Sequence, residues 1–194
     1  AETWWLSPTP DVPASQFHLG TRPRVVTWHT FEMVATGRTF VMGTTHLEAV
    51  NGLARRKSAR LLRDLIVDKM NRLGERTPIF LTGDFNAVET SPEIRSLFDG
   101  SCRDGRLYDA WRLAGDADPR AGATFRGLGP WRRLGQAVLG PRRIDYVLFR
   151  PRLEVLRTER VDCDPFVPHE MARPSDHLPV YADFVLPPAE TLAR

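Results

Sequence analysis

Pro78-Ile79-Phe80-Leu81-Thr82-Gly83-Asp84-Phe85-Asn86-Ala87 sets the frame for the whole chain. An apolar run of strand length stops at Gly83, and a carboxylate and a carboxamide follow two residues apart. The pattern predicts a buried strand that presents Asp84 and Asn86 at its carboxyl end, where ligands and catalytic groups collect in open α/β sheets. The same two residues equally suit the cap of a following turn or helix. The flanking sequence has to choose between these readings.

Upstream, Leu53, Leu61, Leu62, Leu65, Ile66, Met70 and Leu73 recur at helical spacing, while Arg55, Arg56, Lys57, Arg63, Asp64 and Lys69 take the remaining positions. An amphipathic helix from Leu53 to Leu73 laid on a sheet is expected, with Gly74 as its stop. Arg24 to Trp28 and Thr39 to Thr45 read as two strands joined at Thr36-Gly37-Arg38, a hairpin pattern. Trp4-Trp5-Leu6 reads as a short strand running into a loop that Pro8, Pro10 and Pro13 keep out of helix and ladder. Downstream, Ser91-Pro92-Glu93 opens a short helix to Phe98, and Leu107 to Leu113 gives another helical turn. Gly122 to Pro141, rich in Gly and Pro, is expected to form a long surface loop. Strands follow at Ile144 to Phe149, Leu153 to Val161 and Leu178 to Leu186. A strand-helix-strand start with hairpin-like strands later predicts a mixed α/β (α+β) sandwich flanked by helices.

At 194 residues the chain suits a single domain spanning 1–194. Apolar residues at 42% and charged residues at 26% are ordinary for a globular protein. No apolar stretch approaches the roughly 20 residues that span a bilayer, and Ala1-Glu2-Thr3-Trp4-Trp5 lacks the basic-then-apolar layout of a signal peptide. No compartment is assigned. Cys102 and Cys163 are too few for a zinc knuckle or disulfide scaffold, and their redox state stays open. The net charge of +3 is mild, but from Arg120 to Arg160 ten Arg face only Asp145, Glu154 and Glu159. Such a run is either a solvated face or a groove for phosphates.

Four stretches put acids, amides or imidazoles at strand ends: Thr44-Thr45-His46-Leu47-Glu48, Gly83-Asp84-Phe85-Asn86, Arg143-Ile144-Asp145-Tyr146 and Ser175-Asp176-His177-Leu178-Pro179. A single histidine in such a place is more often structural than catalytic. Asp145 is different, because a carboxylate inside the apolar run Ile144 to Phe149 is costly unless a cation or imidazole meets it. Asp84, Asp145 and Asp176 with an amide are hard oxygen donors that suit Mg²⁺ or Mn²⁺. Two imidazoles supply proton transfer near neutral pH or charge for a phosphoryl transition state. Phosphate-ester hydrolysis uses these parts together.

In this order, Thr45-His46-Leu47, Gly83-Asp84-Phe85-Asn86, Arg143-Ile144-Asp145-Tyr146 and Ser175-Asp176-His177-Leu178-Pro179 resemble the successive motifs of the endonuclease/exonuclease/phosphatase superfamily, the DNase I-like fold. The start, Trp5-Leu6-Ser7-Pro8-Thr9-Pro10-Asp11 followed by Arg24-Val25-Val26-Thr27-Trp28, is similar to the middle of bacterial members. The resemblance implies a general-base or phosphate-binding role for His177, with Asp145 holding its imidazole. It implies Asp176 as a metal ligand alongside Asp84 and Asn86. Asp84 would handle a proton on the attacking or leaving oxygen, Asn86 would position phosphate or water, and His46 would donate to the phosphoryl oxygens.

One departure stands out. Family members begin with a strand bearing an Asn and a Gln-Glu motif whose Glu ligates the metal, and neither has a counterpart here. The fold is therefore expected to be incomplete at its N-terminus, as a fragment, as a homo-oligomer or domain swap that completes it, or as a reduced version with a weakened metal site. The superfamily cleaves DNA, RNA, lipids and small phosphoesters, and fold does not choose among them. Arg126, Trp131, Arg132, Arg133 and Arg143 offer phosphate contacts and a stacking surface, which favours a nuclease acting on nucleic acid. The alternatives are a phosphatase or phosphodiesterase of small phosphoesters or lipids, and a binding fragment that needs a partner chain.

Overall fold

The structure is a computed structural model of the chain and describes residues 1–114, 122–125, 142–162 and 175–186. The chain runs β1 (Glu2–Trp5), β2 (Val25–Met33), β3 (Arg38–His46), α1 (Gly52–Leu73), β4 (Ile79–Asp84) and α2 (Pro92–Phe98). A 3₁₀ turn (Cys102–Asp104), β5 (Tyr108–Asp109), α3 (Ala110–Leu113), β6 (Asp145–Arg150), β7 (Glu154–Arg160) and β8 (Val180–Val185) follow. Six strands form one mixed sheet in the order β1-β2-β3-β4-β6-β5, and β7 pairs with β8 in a second, smaller sheet. Among the described residues only the β3–β4 pairing is parallel; α1 is its crossover.

Alternation along the strands sends Val26, Trp28, Val41, Ile79, Leu81, Tyr146 and Leu148 to one face, where they pack with Leu62, Ile66 and Met70 of α1 and Ile94 and Leu97 of α2. Burying each such aliphatic side chain contributes about 1.5–3 kcal/mol, so this layer carries most of the fold. Asn51 opens α1 by accepting the Leu53 and Ala54 N–H groups at 3.0 Å each. Gly74, at φ 94°, closes it with its N–H on the Met70 carbonyl. The opposite face carries Phe40, Phe80, Val147 and Phe149, and the β7–β8 sheet lies on part of it through Val155, Ala182, Phe184 and Leu186. The remainder forms an open groove of about 670 Å³ between Phe40, Met42, Phe80 and Val147 on one wall and Leu156, Val180 and Phe184 on the other.

Several expectations shift. The β2–β3 hairpin is longer than its apolar core suggested, because pairing continues past Trp28 to Met33 opposite Arg38. The buried stripe of α1 is Ala54, Ser58, Ala59, Leu62, Ile66, Lys69 and Met70, while Leu53 and Leu73 are exposed. Lys69, expected in solvent, is buried against the Trp28 ring with its Nζ 2.9 Å from Glu2. β4 runs on through Asp84, three residues past the last apolar side chain of its run, Leu81. Leu107 to Leu113 divides into β5 and α3, since Tyr108 and Asp109 pair with Phe149 and Leu148. Of the expected surface loop from Gly122, residues 123 and 124 are buried; residues 126–141 lie outside the described residues, as does Cys163.

Candidate active site

Strand register builds the site. His46 pairs with Asp84 across β3 and β4, and Asp84 pairs with Asp145 across β4 and β6. Paired residues on adjacent strands share a face, so three residues separated in sequence form one row at the carboxyl ends of β3 and β4. Gly83 permits this row. It lies at φ +143°, and a Cβ there would meet the Thr45 carbonyl oxygen at 1.8 Å, so only glycine fits beside β3 at this point.

Asp84 divides its oxygens. Oδ1 accepts the Asn86 N–H at 2.7 Å, an Asx turn that holds Asn86 at φ 49°. The Asn86 Nδ2 donates to the Leu47 carbonyl at 3.0 Å, which ties the turn to the end of β3. Oδ2 points into the site, 3.3 Å from His46 Nε2 and 3.7 Å from His177 Nε2. One oxygen thus serves the turn, as the cap reading expects, and the other faces the two imidazoles.

His177 Nδ1 lies 2.8 Å from Asp145 Oδ2. A carboxylate at that distance takes the imidazole N–H, so the proton sits on Nδ1 and the Nε2 lone pair faces Asp84. The edge of the Phe125 ring backs the imidazole at 5.1 Å. The hydrogen bond to Asp145 holds the His177 pKa above the usual imidazole range, against desolvation and with the help of the Asp145, Asp84 and Asp176 charges. Burial lifts the Asp84 carboxyl above the usual carboxylate range, and the facing Asp145 charge adds to it, against the Asn86 amide and the two imidazoles. Two groups with raised pKa values, 3.7 Å apart, mark a gap that favours a proton or a cation between them.

Ligand atoms of Asp84, Asp145 and His177 all lie within 4.8 Å of one another. Two carboxylates and an imidazole are a donor set that suits a hard divalent cation completed by water or phosphate oxygens. Asp176 adjoins His177, but its carboxylate is not in this converging group. His46 is the open member, with its side chain 57% exposed.

Arg143 has a different place from the one expected. Its side chain is 5% exposed, and Nη2 lies 2.7 Å from Asp109 Oδ2 and 2.8 Å from Glu89 Oε2. Arg112 extends the network to Glu89 at 2.6 Å, and the Arg143 guanidinium covers the Tyr146 ring at 4.5 Å. With its charge consumed internally, Arg143 braces the start of β6 and does not face a substrate. Arg126, Trp131, Arg132 and Arg133 lie outside the described residues. Thr124 escaped the sequence reading: its fully buried hydroxyl donates to Asp145 Oδ2 at 2.5 Å. The available signal was a lone Thr between Ala123 and Phe125 in a segment otherwise dominated by Gly, Pro and Arg.

Comparison with known proteins places this geometry. A search of curated protein sequences returns no match. Among solved structures, an endonuclease/exonuclease/phosphatase from Bacteroides vulgatus is 27% identical with a TM-score of 0.73, covering 96% of this chain and 64% of its own. The mannosyl-6-phosphatase Bt3783 of Bacteroides thetaiotaomicron is 25% identical with a TM-score of 0.66, over 95% of this chain and 65% of its own. The human Nocturnin catalytic domain, solved with a bound sulfate anion, is 25% identical with a TM-score of 0.60, over 84% and 52%. The chain thus spans about 64% of the length of the first of these structures. The sequence pattern of the Endonuclease/Exonuclease/phosphatase family matches residues 5–177, the span from β1 to the site histidine, and the chain belongs to that family.

Proposed function

We propose that this chain hydrolyses phosphodiesters with the help of Mg²⁺ or Mn²⁺, and that its substrate is DNA, cut as an endonuclease or exonuclease. The observation that carries the reading is the row His46, Asp84, Asp145 in strand register with His177 Nδ1 2.8 Å from Asp145. His177 Nε2 accepts the proton of an attacking water while Asp145 holds Nδ1–H, so the developing imidazolium is neutralised where it forms. Asp84, whose raised pKa favours a carboxyl already protonated before attack, gives that proton to the leaving oxygen as the P–O bond breaks. His46 donates to a nonbridging oxygen from the open side, and Asn86 orients the water or phosphate. Asp145, and Asp84 through the oxygen that does not carry the donated proton, would hold the cation, while the Asp176 carboxylate lies outside the converging group. When bound, the ion supplies charge neutralisation on the phosphoryl oxygens.

The choice of nucleic acid rests on Arg126, Arg132 and Arg133, with Trp131 beside the last two for stacking. Phosphatase action on a small phosphoester is the alternative, and Bt3783 carries that name. The test is purified chain with supercoiled plasmid DNA, bis(p-nitrophenyl) phosphate and p-nitrophenyl phosphate, each with Mg²⁺, Mn²⁺ or EDTA. Diester cleavage that EDTA abolishes, and that His177→Ala lowers by about 10²–10⁴-fold with the fold intact, supports the reading. An unimpaired His177→Ala variant overturns the assigned base, and a preference for the monoester overturns the diesterase.

One observation favours a second reading, in which activity requires a covering partner. Met42 and Leu156 are exposed along the open groove and exposed Phe31 stacks on Phe40 beside it, and exposed apolar surface of this kind ordinarily meets another polypeptide. Sedimentation of the active species decides it: activity confined to a dimer or a complex supports this reading, and activity of the monomer removes it.

A further inference from the structure

We infer that Thr124 is the positioning residue of the His177–Asp145 pair, fixing by one hydroxyl which way the imidazole proton points. Three hydrogen bonds meet at its Oγ1. The backbone N–H groups of Ile144 and Asp145 donate to it at 3.3 and 3.2 Å. Two donors fill the two acceptor positions of a hydroxyl oxygen. Its single proton is therefore committed outward, and the acceptor in reach is Asp145 Oδ2 at 2.5 Å.

That oxygen is the same one that meets His177 Nδ1 at 2.8 Å. The Asp145 carboxylate is thus held in one rotamer by a donor that cannot turn away, and its oxygen is aimed at Nδ1. Nε2 is left as the free imidazole nitrogen on the Asp84 side.

The backbone of the same residue binds the two motifs together. The N–H groups of Thr124 and Phe125 donate to the Arg142 carbonyl at 3.0 and 3.1 Å, and the Leu178 N–H donates to the Thr124 carbonyl at 2.8 Å. Phe125 bridges both Arg142 and His177 in antiparallel fashion. One side of this short segment therefore holds the lead into β6 with Asp145, and the other holds His177-Leu178. Thr124 is wholly buried, and Gly122 lets the segment pass close to Arg143, whose Cδ a Cβ there would meet at 2.7 Å. A hydroxyl placed only to satisfy two backbone donors would have no need to face the reactive carboxylate.

The kinetic arm of the test rests on the phosphodiesterase reading; the spectroscopic arm does not. Thr124→Val keeps the shape and removes the hydroxyl, while Thr124→Ser keeps the hydroxyl. In the metal-free full chain, the ¹⁵N shifts of the His177 ring report which nitrogen carries the proton. The parent and Thr124→Ser should show the Nδ1–H form, and Thr124→Val should show a mixture. With Mn²⁺ and bis(p-nitrophenyl) phosphate, Thr124→Val should lose about 10–100-fold in kcat with little change in KM, and Thr124→Ser should stay close to the parent. Should Thr124→Val fail to fold, Thr124→Cys, with a weak donor of similar size, carries the same comparison. Ring shifts identical in parent, Ser and Val or Cys variants overturn the inference whether or not the chain is active. If the parent hydrolyses nothing, the phosphodiesterase reading fails and the ring shifts still decide the role of Thr124.

Discussion

Replacing Arg143 by Met removes a buried cation, strips Asp109 of its ion-pair partner and leaves Glu89 with Arg112 alone. The guanidinium and Asp109 are 5% and 3% exposed in their side chains at a separation of 2.7 Å, with Glu89 at 2.8 Å. At these burials the small value typical of surface ion pairs does not apply. Removing one member of a buried pair costs about 3–5 kcal/mol, because an uncompensated charge stays inside. For a domain of this size each kcal/mol lowers Tm by roughly 2–4 °C, so the expected fall is about 6–20 °C. Arg112→Met, at 35% exposure and against the same Glu89, should cost no more than about 1 kcal/mol. Urea unfolding of both variants measures the difference, and Asp109→Asn in the Arg143→Met background should recover part of the loss. Binding of DNA should keep its salt dependence in each folded variant. An Arg143→Met protein as stable as the parent, with a salt slope lowered by about one, would refute the assignment and return Arg143 to a phosphate-contact role.

Gly83→Ala should destabilise by more than about 4 kcal/mol, since the added methyl would stand 1.8 Å from the Thr45 oxygen at a φ that L residues avoid; a soluble variant with unchanged urea midpoint would contradict the register described. In the proposed mechanism His177 must be neutral to act as base, and the Asp145 hydrogen bond raises its pKa, so diesterase kcat/KM should rise with pH through a midpoint above that of free imidazole. An acid limb at or below the free value would remove His177 as the base. Stability in acid follows from Glu48 and Glu89. Burial opposes ionisation of both, but the Val50 and Arg22 amides with Arg24 hold Glu48 low, and Arg112 with Arg143 hold Glu89 low. Their contribution is present above the ordinary glutamate value of 4.5 and is lost as pH falls through the depressed values. Urea midpoints of the parent should therefore drop on acidification below 4.5, and Glu48→Gln should flatten that drop; an unchanged pH profile in the variant would count against the Glu48 ion cluster.

Much of this protein is legible in one dimension. The period of α1, its Gly74 end, the proline-punctuated loop after β1 and the apolar cores of β3, β4 and β6 are written in short continuous runs. Periodicity, caps and turn residues act over that range. The four strand-end motifs were visible for the same reason, each being a polar cluster where an apolar run stops. Boundaries moved where a strand gained pairing from a neighbour that its own residues do not announce, as at Met33 and Asp84.

Tertiary structure alone decided which polar groups are inside and what they meet. Lys69 occupies a position that the helical pattern assigns to solvent, yet Trp28 and Glu2 from two distant strands enclose it. Arg143 belongs to a basic run in sequence and to a buried acid network in space, because β5 and the residues before α2 bring Asp109 and Glu89 to it. Thr124 stands out in sequence only as a lone Thr, and its place beneath Asp145 comes from the fold. His46, Asp84 and Asp145 become one row through pairing across three strands, and His177 joins them through a segment more than thirty residues further on. A sequence shows which residues can do the chemistry and at which strand ends they lie. The distances that make them act together come from long-range pairing, whose partners no local pattern names.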